Sequence, residues 1–467
     1  MIKNDAPPLI VLFRQDLRLK DNPALTHACQ TGQPIIPLYI LDDFTPKKWK
    51  IGGASRWWLH HSLLSLQKSL QEQGSDLFLQ QGETFDIISA LIQKYQVNAV
   101  FWNRCYEPYS IALEKQLKNL LPLSQSFNGS LLFEPWEILN KQQQPFKVFT
   151  PFWNRCLEVD WIENPLPQPM KISTKKIESQ SLHSWHLLPT DPDWAAGWLH
   201  AWKPGEKTAN EKLDLFIGKS LKTYDYDRDF PFLDGTSILS PHLHFGEISP
   251  RQIFQKMKNI PKSSKFLSEV GWREFSYHQL YHFPKLPEEP WRPEFSHFPW
   301  EKNSTFLKKW QKGETGYPIV DAGMRQLWQT GWMHNRVRMI TASFLVKDLF
   351  LPWQEGARWF WDTLVDADLA NNSASWQWVA GCGFDAAPFF RIFNPVLQGE
   401  KFDPEGLYIK QWIPELAKIP KPFIHKPWML PQRLTAYPSP MVSHEQSRKH
   451  ALEAFKKLKT PEMKQFV

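Results

Sequence analysis

The chain of 467 residues predicts two architectures in series, an α/β region built on a parallel sheet and then an all-helical region. Three observations carry this. Short β-branched and aromatic runs alternate with amphipathic helical stretches through the first third. A Pro-, Gln- and Ser-rich stretch follows, with LPTDPDWAAGW as its least periodic part, and reads as a linker. Beyond it the apolar spacing is helical, with almost no strand signal. The expected division is 1–135, 136–205 and 206–467.

The predicted strands are PLIVLFR (8–14), PIIPLYIL (34–41), DLFLQ (76–80), VNAVFW (97–102) and SLLFEP (130–135), each bounded by turn residues. Between the second and third lies a helix, SRWWLHHSLLSLQKSLQEQG (55–74), with Ser55 as its N-cap and Gly74 at its end. Strand–helix alternation implies parallel pairing through crossovers. The first strand runs into FRQDLRLKDN rather than G-x-G-x-x-G, which argues against an ordinary dinucleotide binder. In the helical region, Ser240-Pro241 and Ser249-Pro250 each read as a Ser N-cap followed by Pro at the first helical position. SHEQSRKHALEAFKKLKT (443–460) reads as a basic amphipathic helix, solvated at the end of the chain.

Composition narrows the class. A hydrophobic share of 42% and a charged share of 22% exclude a disordered chain. The four cysteines are far apart with no C-x-x-C pair, which excludes a disulfide scaffold and a Cys-ligated zinc site. No signal-peptide core and no long apolar run occurs, so a cytoplasmic protein with no membrane partner is expected. A net charge of +7 is a mild excess, compatible with nucleic acid. The 24 Trp are the anomaly; core, stacking platform, carbohydrate site and electron path all remain open.

Several motif readings fail. FIGKSLK (216–222) lacks the first glycine of a P-loop, since Leu213 stands there, and no H-E-x-x-H occurs, so no metal site is expected. DGTSILSPHLHFGEISPR (234–251) places Thr236, Ser237 and Ser240 before a helix, which is either an anion site or a capped helix alone. In SEVGWREFSYHQLYHFP (268–284), Glu269 and Arg273 are spaced for an ion pair on one helix face or for the polar floor of a cavity. TGWMHNRVRMITASFLVKD (330–348) carries Trp332, Asn335, Arg336 and Met339 within a few turns, and Asn has poor helix propensity. In the stretch 353–378 five Trp are interleaved with Asp366, Asp368, Asn371 and Asn372. With no further carboxylates nearby, the two acids suit acceptors for a heterocycle or ribose better than a metal pair.

VDAGMRQLWQTGWMHNRVRMITASFLVKDL, DADLANNSASWQW and DAAPFFRIFNP are where the chain resembles the DNA photolyase and cryptochrome family, and the likeness spans nearly its whole length. GGASRWWLHHSL and WREFSYHQLYHFP resemble the bacterial class III cyclobutane-dimer photolyases related to plant cryptochromes. The resemblance implies a Rossmann-like α/β antenna domain, a helical domain binding FAD and DNA, and light-driven repair of pyrimidine dimers in UV-damaged DNA by a monomer. It implies that Tyr224, Thr236, Ser237, Ile238, Leu239 and Ser240 hold the FAD phosphates. Arg273, Asp366 and Asp368 would surround the flavin, and Asn372 would lie beside its reactive nitrogen. Glu269 would bond the dimer, with Trp272, Asn335 and Met339 as pocket walls. Arg228, Arg336 and Gln398 would touch DNA, and Trp300, Trp353 and Trp376 would relay electrons. The antenna implied is 5,10-methenyltetrahydrofolate, with a deazaflavin as alternative. The Asn-Glu pair of some folate-binding relatives corresponds to Tyr109-Ser110, leaving nearby Glu107 as a substitute. A cryptochrome photoreceptor is the alternative function. Asn372, where plant signalling members tend to have Asp, and the short stretch after Trp428 favour repair.

Overall fold

In the computed structural model, which describes residues 6–159, 162–432 and 434–459, Leu9–Phe13 is the central strand β1 of a five-stranded parallel sheet. The others are β2 (Ile35–Leu41), β3 (Phe78–Gln81), β4 (Ala99–Asn103) and β5 (Gln125–Phe127), in the order β3-β2-β1-β4-β5. Leu9 is in register with Ile35 on one side and Ala99 on the other. A strand covered on both faces needs apolar residues at successive positions, which is why β1 reads LIVLF and is buried throughout. Ile10, Leu12, Ile36, Leu38, Val100 and Trp102 form the centre of its core.

The strand order reverses between β1 and β4, where open α/β sheets usually take ligands. Here polar side chains tie the two strand ends together. The Asn103 amide donates to Asp16 Oδ2 (2.6 Å) and Asn22 Oδ1 (2.7 Å), and Arg14 donates to the Asn103 carbonyl (2.8 Å) and to Glu114 (2.6 Å). A phosphate loop would need bare backbone at this place, consistent with the missing glycine fingerprint.

The chain divides into two compact units. The first comprises Met1–Lys222, Ser237–Pro284 and Val365–Asp368; the second comprises Thr223–Thr236, Lys285–Leu364 and Leu369–Val467. The sheet belongs to the first, and among the described residues all strands precede residue 128.

Four expectations are corrected. The fifth strand is Gln125–Phe127, not 130–135. Leu131, Leu132 and Phe133 are buried, but the N–H groups of Leu132 (2.8 Å) and Phe133 (3.4 Å) donate to the Glu274 carboxylate instead of a neighbouring strand. The stretch read as linker contains the helix Phe149–Leu157, whose Phe149, Phe152, Trp153 and Cys156 are buried. Ser55 lies inside the helix Gly53–Glu72, whose N-cap is Gly52, and Ser240 is the first residue of Ser240–His244 rather than its cap. Ser249 does cap Pro250–Met257, with a full capping box to Gln252.

The fourth correction concerns the end of the second unit. The helix His444–Lys459 is packed rather than only solvated: Ala451, Ala454 and Phe455 are buried, and Phe455 stacks on Phe389 at 4.7 Å. His444 Nδ1 lies 2.6 Å from Asp348 Oδ1. Elsewhere in this unit, Gly356 of the helix Trp353–Thr363 admits the Trp376 indole so closely that a Cβ there would lie 2.0 Å from the ring. No described helix is long and apolar enough to cross a membrane.

Candidate functional site

In the first unit the turn at 237–240 is held by local strain and by a carboxyl. Ile238 has φ +50°, a left-handed conformation that a β-branched residue rarely accepts. Its neighbour Leu239 is buried, and the Leu239 N–H approaches Ser237 Oγ at 3.4 Å. The Ser240 hydroxyl donates to Asp366 Oδ2 at 2.6 Å, so the side chain expected to cap the helix is committed to an acid 126 positions away. Asp368 is buried as well; Tyr277 donates its phenol to Asp368 Oδ2 in a short hydrogen bond, and His244 Nδ1 lies 3.7 Å from the same oxygen. Behind the turn, His242 pairs with Glu247, which also accepts from the Trp58 indole at 3.1 Å.

The helix Ser264–His282 presents the other residues of this unit. Glu269 pairs with Lys265 at 3.2 Å. Arg273 turns elsewhere, donating to the Ser130 carbonyl (2.9 Å), approaching Glu274 (3.3 Å) and lying 4.7 Å over the Tyr277 ring. Burial opposes the Arg273 charge, but Tyr277, Glu274 and Asp368 outweigh it, and the proton is held more tightly than usual. Burial pushes the Glu274 carboxyl up to about 7, against the pull of Arg273 and of the Leu132 and Phe133 N–H groups. Trp272 is half-buried, with its indole parallel to the Phe149 ring at 3.9 Å.

In the second unit, Tyr224 is buried beneath the Arg228 guanidinium at 5.4 Å, and Thr236 is half-buried. Asn372 lies on the helix Leu369–Ala380 and donates its amide nitrogen to the Ala357 carbonyl at 3.0 Å. The same amide still carries a second N–H donor and an acceptor oxygen. Asn335 opens the helix Asn335–Ser343 and is exposed, whereas Arg336 and Met339 are half-buried. Arg336 donates to Asp229 (2.5 Å), touches Met339 Sδ (3.9 Å) and lies 4.4 Å over Phe402, which ends the helix Pro395–Phe402 carrying Gln398. Trp353 and Trp376 are buried and Trp300 is half-buried. Trp376 meets Phe360 edge-on at 5.0 Å, and Trp300 packs on Phe298 at 4.4 Å.

Sequence reasoning missed Tyr277, Asp229, Phe149 and His334. Tyr277, Asp229 and Phe149 act through neighbours remote in sequence, for which no spacing rule exists, and His334 is not among the residue types preferred as an N-cap. His334 caps the 335–343 helix by accepting the Arg336 N–H at 3.2 Å. Burial, helped by Arg336 and Arg338, pushes the imidazole down to about 4, so it accepts through a neutral nitrogen. Near the expected antenna position, Glu107 is buried, one oxygen accepting from Gln15 at 2.8 Å and the other, Oε2, having no hydrogen-bond partner among the described residues. Among the described residues no three His, Cys, Asp or Glu side chains converge as a metal site.

Comparison with known proteins covers nearly the whole chain. Residues 9–170 match the DNA photolyase family, and residues 266–457 match the family described as the FAD binding domain of DNA photolyase. A deoxyribodipyrimidine photo-lyase of Agrobacterium fabrum is 47% identical over 97% of this chain and 98% of its own. Cryptochrome-2 of Arabidopsis thaliana is 40% identical over 90% of this chain and 73% of its own. The crystal structure of a bacterial class III photolyase from Agrobacterium tumefaciens superposes with a TM-score of 0.93 at 46% identity, covering 97% of this chain and 98% of that one.

Proposed function

The chain belongs to the DNA photolyase and cryptochrome family, and from that premise we infer that it is a deoxyribodipyrimidine photolyase, an FAD enzyme that uses light to split cyclobutane pyrimidine dimers in UV-damaged DNA. The observation that carries this reading is the relation to the Agrobacterium enzyme along nearly the full length of both chains. When bound and reduced, FAD supplies the electron that light drives into the dimer. Binding, orientation and electrostatics are the work of the protein.

The residues present suit that cofactor. Buried acceptors on Asp366 and Asp368, hydroxyls at Thr236, Ser237 and Ser240, and the strained Ile238 turn are what a ligand with phosphates, ribose hydroxyls and ring N–H groups requires. We assign Tyr224 and 236–240 to the phosphates, and Arg273, Asp366 and Asp368 to the flavin's surroundings. The Asn372 amide is anchored through one N–H to the Ala357 carbonyl, and its oxygen, an acceptor, suits the N–H that reduction places on the flavin ring. Trp272 offers a stacking face to a flipped pyrimidine dimer. Glu269 lies on the same helix and is assigned the hydrogen bond to the dimer's carbonyl edge, where negative charge develops. Asn335 and Met339 are assigned to the pocket wall, and Arg228, Arg336 and Gln398 to the DNA. Trp376, Trp353 and the less buried Trp300 would carry an electron inward to the flavin.

For the antenna we propose 5,10-methenyltetrahydrofolate, with a deazaflavin as the alternative; the unpartnered Glu107 Oε2 suits the N–H groups of a pterin. The chromophore released by denaturation distinguishes the two by its absorption. We also place the protein as a monomer in the cytoplasm, which sedimentation and cell fractionation check. The functional division we propose is 1–135 for the antenna, 136–205 as connection and 206–467 for FAD and DNA.

The decisive experiment assays a dimer-containing oligonucleotide in light and in darkness with the purified, FAD-loaded protein. Light-dependent restoration is expected, and its absence would move the assignment to a cryptochrome photoreceptor. Glu269→Ala should lower repair per absorbed photon with little change in DNA affinity. Trp300→Phe should block photoreduction while leaving repair by chemically reduced enzyme intact.

A further inference from the structure

We propose that Phe149 is a positioning residue for lesion recognition, holding the Trp272 indole as a preformed platform for the flipped base. The inference rests on the reading of Trp272 as the stacking residue. The two rings are parallel to within 9° at 3.9 Å between centroids, so one indole face is covered by protein. The column continues: Phe149 and Trp153 are parallel to within 10° at 6.5 Å. Gly271, next to Trp272, opens the space for Trp153, because a Cβ there would lie 2.6 Å from that ring. Phe275 meets the column from the side, at 6.0 Å and 65° to Phe149 and 5.9 Å and 71° to Trp272, and is itself packed against Phe152 at 5.1 Å. Phe149 and Trp153 are buried while Trp272 is half-buried, so the column ends on the most accessible of its three rings.

This order has a physical consequence. Base–aromatic stacking requires a ring at a fixed height and tilt, and a half-buried Trp without a backing ring would have to be ordered when the base arrives. Backing by Phe149 removes that ordering from the binding step. It acts on recognition of the extruded base and not on the duplex flanking it, so the effect is specific to damaged DNA.

The test measures binding in the dark by the FAD-loaded enzyme to a dimer-containing oligonucleotide and to the same oligonucleotide undamaged. Phe149→Leu retains apolar volume without a stacking face, Phe149→Tyr retains the ring, and Trp272→Ala removes the platform. Phe149→Leu should lower the preference for the dimer by about tenfold, the scale of one stacking contact. Its affinity for undamaged DNA, its FAD absorbance and its repair per absorbed photon at saturating substrate should match the wild type, and Phe149→Tyr should restore the preference. Full preference in Phe149→Leu alongside loss in Trp272→Ala overturns the role of Phe149 and leaves Trp272 as platform. Preference retained in Trp272→Ala overturns the platform itself. Equal weakening toward both oligonucleotides, loss of FAD, or failure of Tyr to restore makes Phe149 a packing residue and also overturns the proposal.

Discussion

The acids of the first unit and the indoles of the second are both buried, yet they are held by different forces. Asp366, Asp368 and Glu274 are fixed by directional bonds from Ser240, Tyr277, Leu132 and Phe133. Trp353 and Trp376 are fixed by volume: Gly356 yields space to Trp376, and Phe360 meets its edge. Directional bonds set charge and orientation but depend on protonation; packing sets distance and is indifferent to pH.

Breaking the packed region should have the largest effect. Trp353→Ala removes an almost fully buried indole and should destabilise by about 3–5 kcal/mol, unchanged between pH 5 and 8, as read from urea unfolding. Tyr277→Phe deletes the phenol donated to buried Asp368 and should cost about 1.5–3 kcal/mol; a loss below about 0.5 kcal/mol would show that this bond does not hold the acid.

Glu274 sharpens the contrast through pH. Its folded carboxyl titrates near 7 rather than at the usual carboxylate value, so the fold binds this proton more tightly than the unfolded chain. The associated stability is complete below about pH 4.5 and is lost as pH rises through 7. The wild type should therefore lose on the order of 2 kcal/mol relative to Glu274→Gln between pH 5 and 8, because Gln cannot ionise. A difference that stays flat across that range would contradict the assignment. The smallest effect is at the surface: Lys265→Ala breaks a half-exposed i, i+4 pair and should cost about 0.3–0.5 kcal/mol, vanishing at high salt.

Much of the fold is legible in the sequence. Four of the five strands lie within their predicted runs to within a residue; three are buried nearly throughout and so almost continuously apolar, while Phe78–Gln81 is apolar and buried only in its first two residues. Gln125–Phe127 escaped because it is three residues long, half-exposed and without alternation. LLF at 131–133 misled for the opposite reason, being apolar and buried while its N–H groups bond a side chain. Phe149–Leu157 was hidden by the Pro- and Gln-rich composition around it, although its own residues are amphipathic.

The motif-bearing residues were named from the chain alone, but not their partners. Residue type, apolar period and the Ser249 capping box act within a few positions, so the sequence by itself determined four strands, the end of one capped helix and the inventory of chemical groups. Tertiary structure alone decided that Ser240 would serve Asp366 rather than cap a helix, that Arg273 would turn from Glu269 to Ser130 and Glu274, and that Phe149 would lie flat on Trp272. Buried polar groups must find a partner and aromatic faces must be covered, but neither demand has a period along the chain. Whichever group the fold brings within about 3 Å meets it.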